Sequence, residues 1–221
     1  MVELKFCGLT RASAAALAVE LGAAWCGVIF AGGPRLLTPS RAREVLEPLR
    51  GATTRRVGVF GAQESDEILR IAEDAGLDVI QLHAANGADS ARCVALRERF
   101  AGELWGVAHT RPDAARSDAD AAAWFGLGAS AVVLDAAVPG RLGGTGVALD
   151  WAAIAPEVAR LRTLGRVLLA GGLRPENVAQ AVTLAHPDAV DVSSGVESAP
   201  GIKDPERMRA FAREARRNEV R

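Results

Sequence analysis

Tyrosine is missing altogether from the 221 residues, and aromatic residues make up only 5%. Platforms that stack sugars or unpaired bases are built from such rings, so carbohydrate surfaces and single-stranded nucleic acid are poor candidates for what this chain binds. Cysteine is scarce as well. Cys7, Cys26 and Cys93 are odd in number and form no CxxC pair, which speaks against both a disulfide framework and a zinc knuckle. No stretch approaches the roughly 18 apolar residues of a membrane span. The start, Met1-Val2-Glu3-Leu4-Lys5, lacks the basic and apolar pattern of an export signal, so a cytoplasmic protein without a membrane partner is expected. Neither sign of charge dominates: 26 Lys and Arg face 27 Asp and Glu, a net charge of -1. With no global positive field to collect nucleic acid, any phosphate must be bound locally.

What the chain does have is alternation. Short β-branched apolar runs, at Val2–Phe6, Cys26–Phe30, Arg56–Phe60, Val79–Leu82, Leu104–Ala108, Ala131–Leu134, Val167–Ala170 and Ala189–Val192, read as strands. Between and after them, helical spacing occupies Arg11–Leu21, Ser40–Leu49, Ser65–Ala75, Ser90–Phe100, Asp118–Gly126, Trp151–Leu161, Pro175–Ala185 and Pro205–Arg217. Thr10, Ser40, Ser65 and Ser90 are placed to accept from first-turn amides, and Pro175 and Pro205 suit first helical turns. Gly22, Gly76 and Gly128 follow helical stretches where a left-handed residue is needed. Such repeated βα units fit a parallel barrel or an open doubly wound sheet. Eight units of about 28 residues favour the barrel. The first turn, Phe6-Cys7-Gly8-Leu9-Thr10, is not GxGxxG, which removes the simplest dinucleotide-binding reading of the open sheet. No linker interrupts the pattern. The expected architecture is α/β, a single (β/α)8 barrel of the TIM type over residues 1–221.

In such a barrel the chemistry gathers at the C-terminal strand ends. Those positions hold Cys7, the loop Gly32-Gly33-Pro34-Arg35, Gln81 and His83, His109, Asp135, Gly171-Gly172 and Ser193-Ser194-Gly195. Gly171, Gly172, Ser193, Ser194 and Gly195 offer backbone amides and hydroxyls after the seventh and eighth strands, where barrels of this class hold a phosphate. Cys7 suits a base or nucleophile if nearby cations or amides lower its pKa. Cys26 and Cys93 read as packing residues. Asp135 closes a strongly apolar strand, where desolvation favours a retained proton and a general acid. Arg35 sits on a stiff loop suited to a carboxylate, or is a surface arginine, and His83 and His109 either orient a ligand or hydrogen-bond within the barrel mouth. His186, beside Pro187, reads as exposed. No histidine pair has metal-ligand spacing, so no metal and no cofactor is expected. The loop around Gly144, in Gly143-Gly144-Thr145-Gly146, reads as one that closes on a ligand.

The strings Lys5-Phe6-Cys7-Gly8-Leu9-Thr10, Gln81-Leu82-His83, Gly143-Gly144-Thr145-Gly146, Leu169-Ala170-Gly171-Gly172-Leu173, Asp191-Val192-Ser193-Ser194-Gly195-Val196-Glu197 and Gly201-Ile202-Lys203-Asp204 together resemble the phosphoribosylanthranilate isomerase family. The resemblance implies a cofactor-independent intramolecular oxidoreductase of tryptophan biosynthesis. Its reaction would be an Amadori rearrangement of N-(5-phosphoribosyl)anthranilate to 1-(2-carboxyphenylamino)-1-deoxyribulose 5-phosphate. By the same resemblance, Asp135 would be the general acid and Cys7 the general base. Arg35 would lie near the anthranilate carboxylate, the Gly171-Gly172 and Ser193-Ser194-Gly195 loops would hold the phosphate, and His83, Gly144 and Asp191 would line the substrate. Ala84 stands where the family usually has glycine after Gln-Leu-His, and Ala136 follows Asp135 where a small hydroxyl residue is common. The alternatives are a related phosphoribosyl isomerase of broader specificity, which Cys7 disfavours because those barrels carry aspartate there, and a non-catalytic sugar-phosphate-binding barrel. The expected partner is the phosphorylated sugar substrate, with the chain a monomer or a homodimer.

Overall fold

The computed structural model describes residues 1–83, 89–110, 121–136 and 150–217. Strands β1 (Glu3–Phe6), β2 (Trp25–Ile29), β3 (Arg55–Phe60), β4 (Val79–Leu82), β5 (Glu103–Thr110), β6 (Ala131–Ala136), β7 (Arg166–Leu169) and β8 (Ala189–Val192) pair in chain order into a closed barrel. Parallel pairing of β1 with β8 completes the ring, placing Lys5 opposite Asp191. Helices α1 (Ala12–Glu20), α2 (Pro39–Leu46), α3 (Ser65–Ala75), α4 (Ser90–Arg99), α5 (Ala121–Gly126), α6 (Trp151–Arg162), α7 (Val178–Ala185) and α8 (Pro205–Ala215) alternate with the strands. An antiparallel hairpin, β9 (Glu197–Ala199) and β10 (Ile202–Lys203), follows β8. No helix among the described residues is long and apolar enough to cross a membrane.

The helix ends follow local chemistry, though several caps lie one or two residues from those expected. Thr38, rather than Ser40, caps α2, because Pro39 takes the first helical position and Thr38 Oγ1 accepts from Arg41 N. The Asp89 carboxylate, not Ser90, caps α4. Ser65 opens α3 behind Glu64, with no side-chain cap. The Thr10 hydroxyl donates instead to the Gly201 carbonyl at 2.5 Å, tying the first loop to the hairpin. Helix α7 begins at Val178, three residues beyond Pro175. Asn177 accounts for the delay: its Oδ1 accepts from Arg174 N, and its Nδ2 donates to the Gly172 carbonyl. Gly22, Gly76 and Gly128 all have the positive φ expected at helix ends.

Two apolar clusters fill the molecule. One, including Leu4, Phe6, Val28, Phe60, Ile80 and Leu82, lies between strands and helices. The other fills the barrel with Trp25, Val57, Val79, Trp105, Val107, Val133 and Leu168. Trp25 and Trp105 meet edge to face at 5.1 Å, and the Arg166 guanidinium lies 5.1 Å from the Trp25 ring centre. Because strand side chains alternate, the residues two and four positions on from this plug share its face. Next comes a polar layer holding the buried Lys5, Gln81 and Asp191. Above it come Cys7, His83, His109, Asp135 and Ser193, so one period-2 pattern aims the strand-end chemistry at a single mouth.

Lys5 Nζ donates to Asp191 Oδ2 at 2.7 Å, with the lysine wholly enclosed. Removing one member of such a pair strands a buried charge, whereas removing both does not. Lys5→Met is therefore expected to cost about 3–5 kcal/mol, and combining it with Asp191→Leu should recover most of that loss. Guanidinium unfolding midpoints for the single and double variants check this.

Candidate active site

Cys7 lies one residue past β1, its amide bonded to the Val192 carbonyl at 2.9 Å. Gly8, at φ +67°, then turns the chain so that Leu9 N reaches the Gly27 carbonyl. Gly27 on β2 gives the thiol its space, since a Cβ there would lie 2.9 Å from Cys7 Sγ. Burial is the largest influence on the thiol and pushes its pKa up; Lys5 and Lys203 oppose that push, while Asp191 adds to it. The net direction is upward because burial outweighs the two cations, so the condition under which the thiol would be activated by a lowered pKa is not met in the ligand-free protein. Lys5 shows the counterpart: burial pulls it down, but Asp191 and Cys7 outweigh burial and hold it above its ordinary value. Asp191 Oδ1 is buried and has no hydrogen-bond partner among the described residues. Cys26, inside β2, is pushed up to about 12 by burial, as befits a packing residue.

Arg35 meets a carboxylate, though an internal one. Its Nε and Nη2 donate to the two Glu197 oxygens at 2.8 and 2.7 Å. Lys203 Nζ donates to Glu197 Oε1 at 2.8 Å and to the Ser193 carbonyl at 2.9 Å. Burial alone would raise the Glu197 pKa, but Arg35 and Lys203 together hold it below its ordinary 4.5. Glu197 thus joins the loops after β2 and β8, and Gly8 lets the loop after β1 join them. A Cβ on Gly8 would lie 2.5 Å from Arg35 Cδ and 2.9 Å from Ser193 Oγ. Sequence reasoning assigned no role to Glu197 or Lys203. The available signal was an opposite-charge pair flanking Pro200-Gly201, the turn of the hairpin.

The two small-residue loops pack on each other. Gly171 and Gly172 have φ of +81° and +64°. A Cβ on Gly195 would fall 1.8 Å from the Leu173 carbonyl oxygen, so only glycine permits this contact. Neither loop runs directly into a long helix as expected: α7 starts six residues after Gly172, and Ser194–Val196 forms a single 3-10 turn. Arg207 of α8 reaches back to the Gly195 carbonyl at 3.0 and 3.1 Å.

Across the mouth, His83, His109 and Asp135 come together from β4, β5 and β6. One polar side-chain atom from each lies within 4.8 Å of the others. The imidazole rings meet edge to face at 4.8 Å, and His109 is opposite Asp135 in the strand register. All three are partly exposed. Burial, then His109, lowers the His83 pKa to about 4, leaving that ring neutral at neutral pH. Spacing along the chain gave no hint of this cluster, because three separate strands supply it. Cys7 stands three strands away around the ring, with β8 and β7 between β1 and β6. Gly144 lies outside the described residues, as does Ala84; His186 is exposed at the end of α7.

The depressed Glu197 pKa has a sign for stability. Above 4.5 its carboxylate stabilises the fold through Arg35 and Lys203; as pH falls through the folded-state value, the unfolded chain has already taken up the proton and that contribution is lost. The stability gap between the parent and Glu197→Gln should therefore narrow as pH drops below 4.5, which urea midpoints measured across acid pH will show.

The chain as a whole has counterparts among known proteins. The family model described as N-(5'-phosphoribosyl)anthranilate (PRA) isomerase matches residues 4–214. An N-(5'-phosphoribosyl)anthranilate isomerase from Syntrophus aciditrophicus is 40% identical over 219 residues, covering 98% of this chain and 88% of its own. The crystal structure of the phosphoribosyl anthranilate isomerase from Thermus thermophilus superposes with a TM-score of 0.80 at 36% identity, covering all of both chains. Another isomerase structure, in complex with reduced 1-(o-carboxyphenylamino)-1-deoxyribulose 5-phosphate, gives 0.79 at 30% identity, over 98% of this chain and 99% of that one. A match that runs through every strand and both glycine loops leaves one assignment: the chain belongs to the N-(5'-phosphoribosyl)anthranilate isomerase family.

Proposed function

We propose that this chain, acting as one barrel domain without a cofactor, converts N-(5-phosphoribosyl)anthranilate to 1-(2-carboxyphenylamino)-1-deoxyribulose 5-phosphate. The single observation that carries the reading is the inward placement of a thiol and a carboxyl at the ends of β1 and β6, on separated arcs of one mouth. Protonated Asp135 donates to the furanose ring oxygen while the C1–O bond breaks, and the anthranilate nitrogen lone pair forms the C1=N bond. The Cys7 thiolate then removes the C2 proton, and that electron pair forms C1=C2 as the nitrogen recovers its own. The resulting enolamine takes a proton at C1 and loses one from the C2 hydroxyl, giving the ketone. Every atom is retained and no external oxidant or reductant enters, consistent with an aldose-ketose isomerase of tryptophan biosynthesis.

Binding roles follow from unused hydrogen-bonding capacity. Glu197 engages two of the five Arg35 N–H groups, so the others remain for the anthranilate carboxylate. Asp191 Oδ1, buried and without a partner among the described residues, suits a sugar hydroxyl. His83 borders the Asp135 side, and we assign Gly144, which lies outside the described residues, to substrate binding. Gly171, Gly172, Ser193, Ser194 and Gly195 form the phosphate cup; the ligand named in the related complex carries that same group.

A coupled fluorescence assay, generating phosphoribosylanthranilate in situ and following loss of its emission, tests the assignment. Cys7→Ala and Asp135→Asn should each lower kcat by about 100- to 10,000-fold, the usual worth of a placed acid or base. Unchanged circular dichroism would show that the fold survives. Parent-like turnover by either variant would remove that residue from the mechanism. Because burial holds the free thiol above its ordinary range, the rate at which iodoacetamide labels Cys7 in the ligand-free protein should keep rising with pH beyond the ordinary thiol value of 9.0.

A further inference from the structure

We infer that His83, His109 and Asp135 form a site for a divalent transition ion of the zinc class, and that its occupancy silences the isomerase by taking up the Asp135 carboxylate. The inhibitory part rests on the acid role proposed above for Asp135; the binding part does not. Two imidazoles and one carboxylate are a donor set favoured by zinc, cobalt and nickel, whereas magnesium and calcium prefer oxygen throughout. Three adjacent strands of one closed sheet supply the donors, with His109 and Asp135 in direct register.

The candidate donor atoms already lie within 4.8 Å of one another. Bonds of roughly 2.0–2.2 Å in a tetrahedral zinc site separate donors by about 3.3–3.6 Å. The remaining closure is within reach of side-chain torsions: χ2 of His and Asp is a broad, soft coordinate, and no strand need shift. Partial exposure of all three residues gives an ion entry from solvent and leaves its remaining position to water. Three protein ligands plus an open position is the pattern of an exchangeable zinc site, not of a closed structural one. Cys7, three strands away, takes no part.

The direct test is titration of the chelator-treated protein with Co2+, read by its visible ligand-field absorption. One ion per chain is expected, with no strong sulfur charge-transfer band, displaced by Zn2+ but not by the same concentration of Mg2+. His109→Gln should weaken binding by at least about 100-fold, the upper end of what loss of even an outer-shell partner costs. His83→Gln serves as the second variant, and a thermal melt shows that each is folded. Absent Co2+ absorption, or a spectrum unchanged in both variants, would overturn the site while leaving the acid role to the Asp135→Asn assay. In the turnover assay, Zn2+ should inhibit the parent reversibly to chelation and inhibit His109→Gln far less, each protein being compared with itself with and without the ion. Binding without inhibition would overturn the switch and also count against Asp135 as the acid.

Discussion

The ion pair between Lys5 and Asp191 spans the seam where the first and last strands meet. A barrel closes only if its terminal strands find each other in one register, and a one-residue slip would turn every inward side chain outward. Placing a lysine and an aspartate opposite each other inside the barrel penalises such slips, because a misaligned pair would leave two charges buried and apart. The pair sits just beneath Cys7, so the device that closes the fold also sets the electrostatics of the thiol. The same enclosure that makes the pair effective makes an isolated thiolate costly, and the Cys7 pKa moves upward despite two nearby ammonium groups.

A second charged unit organises the rim. Glu197 takes the fork of Arg35 and the ammonium of Lys203, and Lys203 also holds the Ser193 carbonyl. The loop after β2 and the segment after β8, distant in sequence, thereby meet at one side chain. The hairpin carrying Glu197 and Lys203 has no independent core; it exists because the pair and the Thr10 contact fasten it to the barrel. Order at this side of the mouth comes from polar contacts on a rigid frame.

Period alone leaves a barrel and an open sheet, and the count of eight units favours the barrel. Val79–Leu82 and Ala189–Val192 match the observed strands, as β-branched runs flanked by turn residues should. Helix entries were harder, because Thr38, Asp89 and Asn177 compete with neighbouring serines and prolines for the capping position and the winner depends on local geometry. Residues at a single strand end, such as Cys7 and Asp135, stand out because a polar group ends an apolar run. Residues whose surroundings come from other strands do not. Arg35 was marked as a carboxylate binder, yet nothing local tells that Glu197, 162 positions on, occupies its fork. The gathering of His83, His109 and Asp135 is likewise a property of sheet register.

Gly27 carries a consequence for what chemistry the first strand can bear. The notch it leaves is filled to contact by one sulfur atom, so the chain has matched the volume at position 27 to the side chain at position 7. A branched or longer side chain at position 7 would press on the neighbouring strand, and any side chain at position 27 would press on the thiol. The two positions form a single lock with two halves: a lineage changing the side chain at one would have to recut both together.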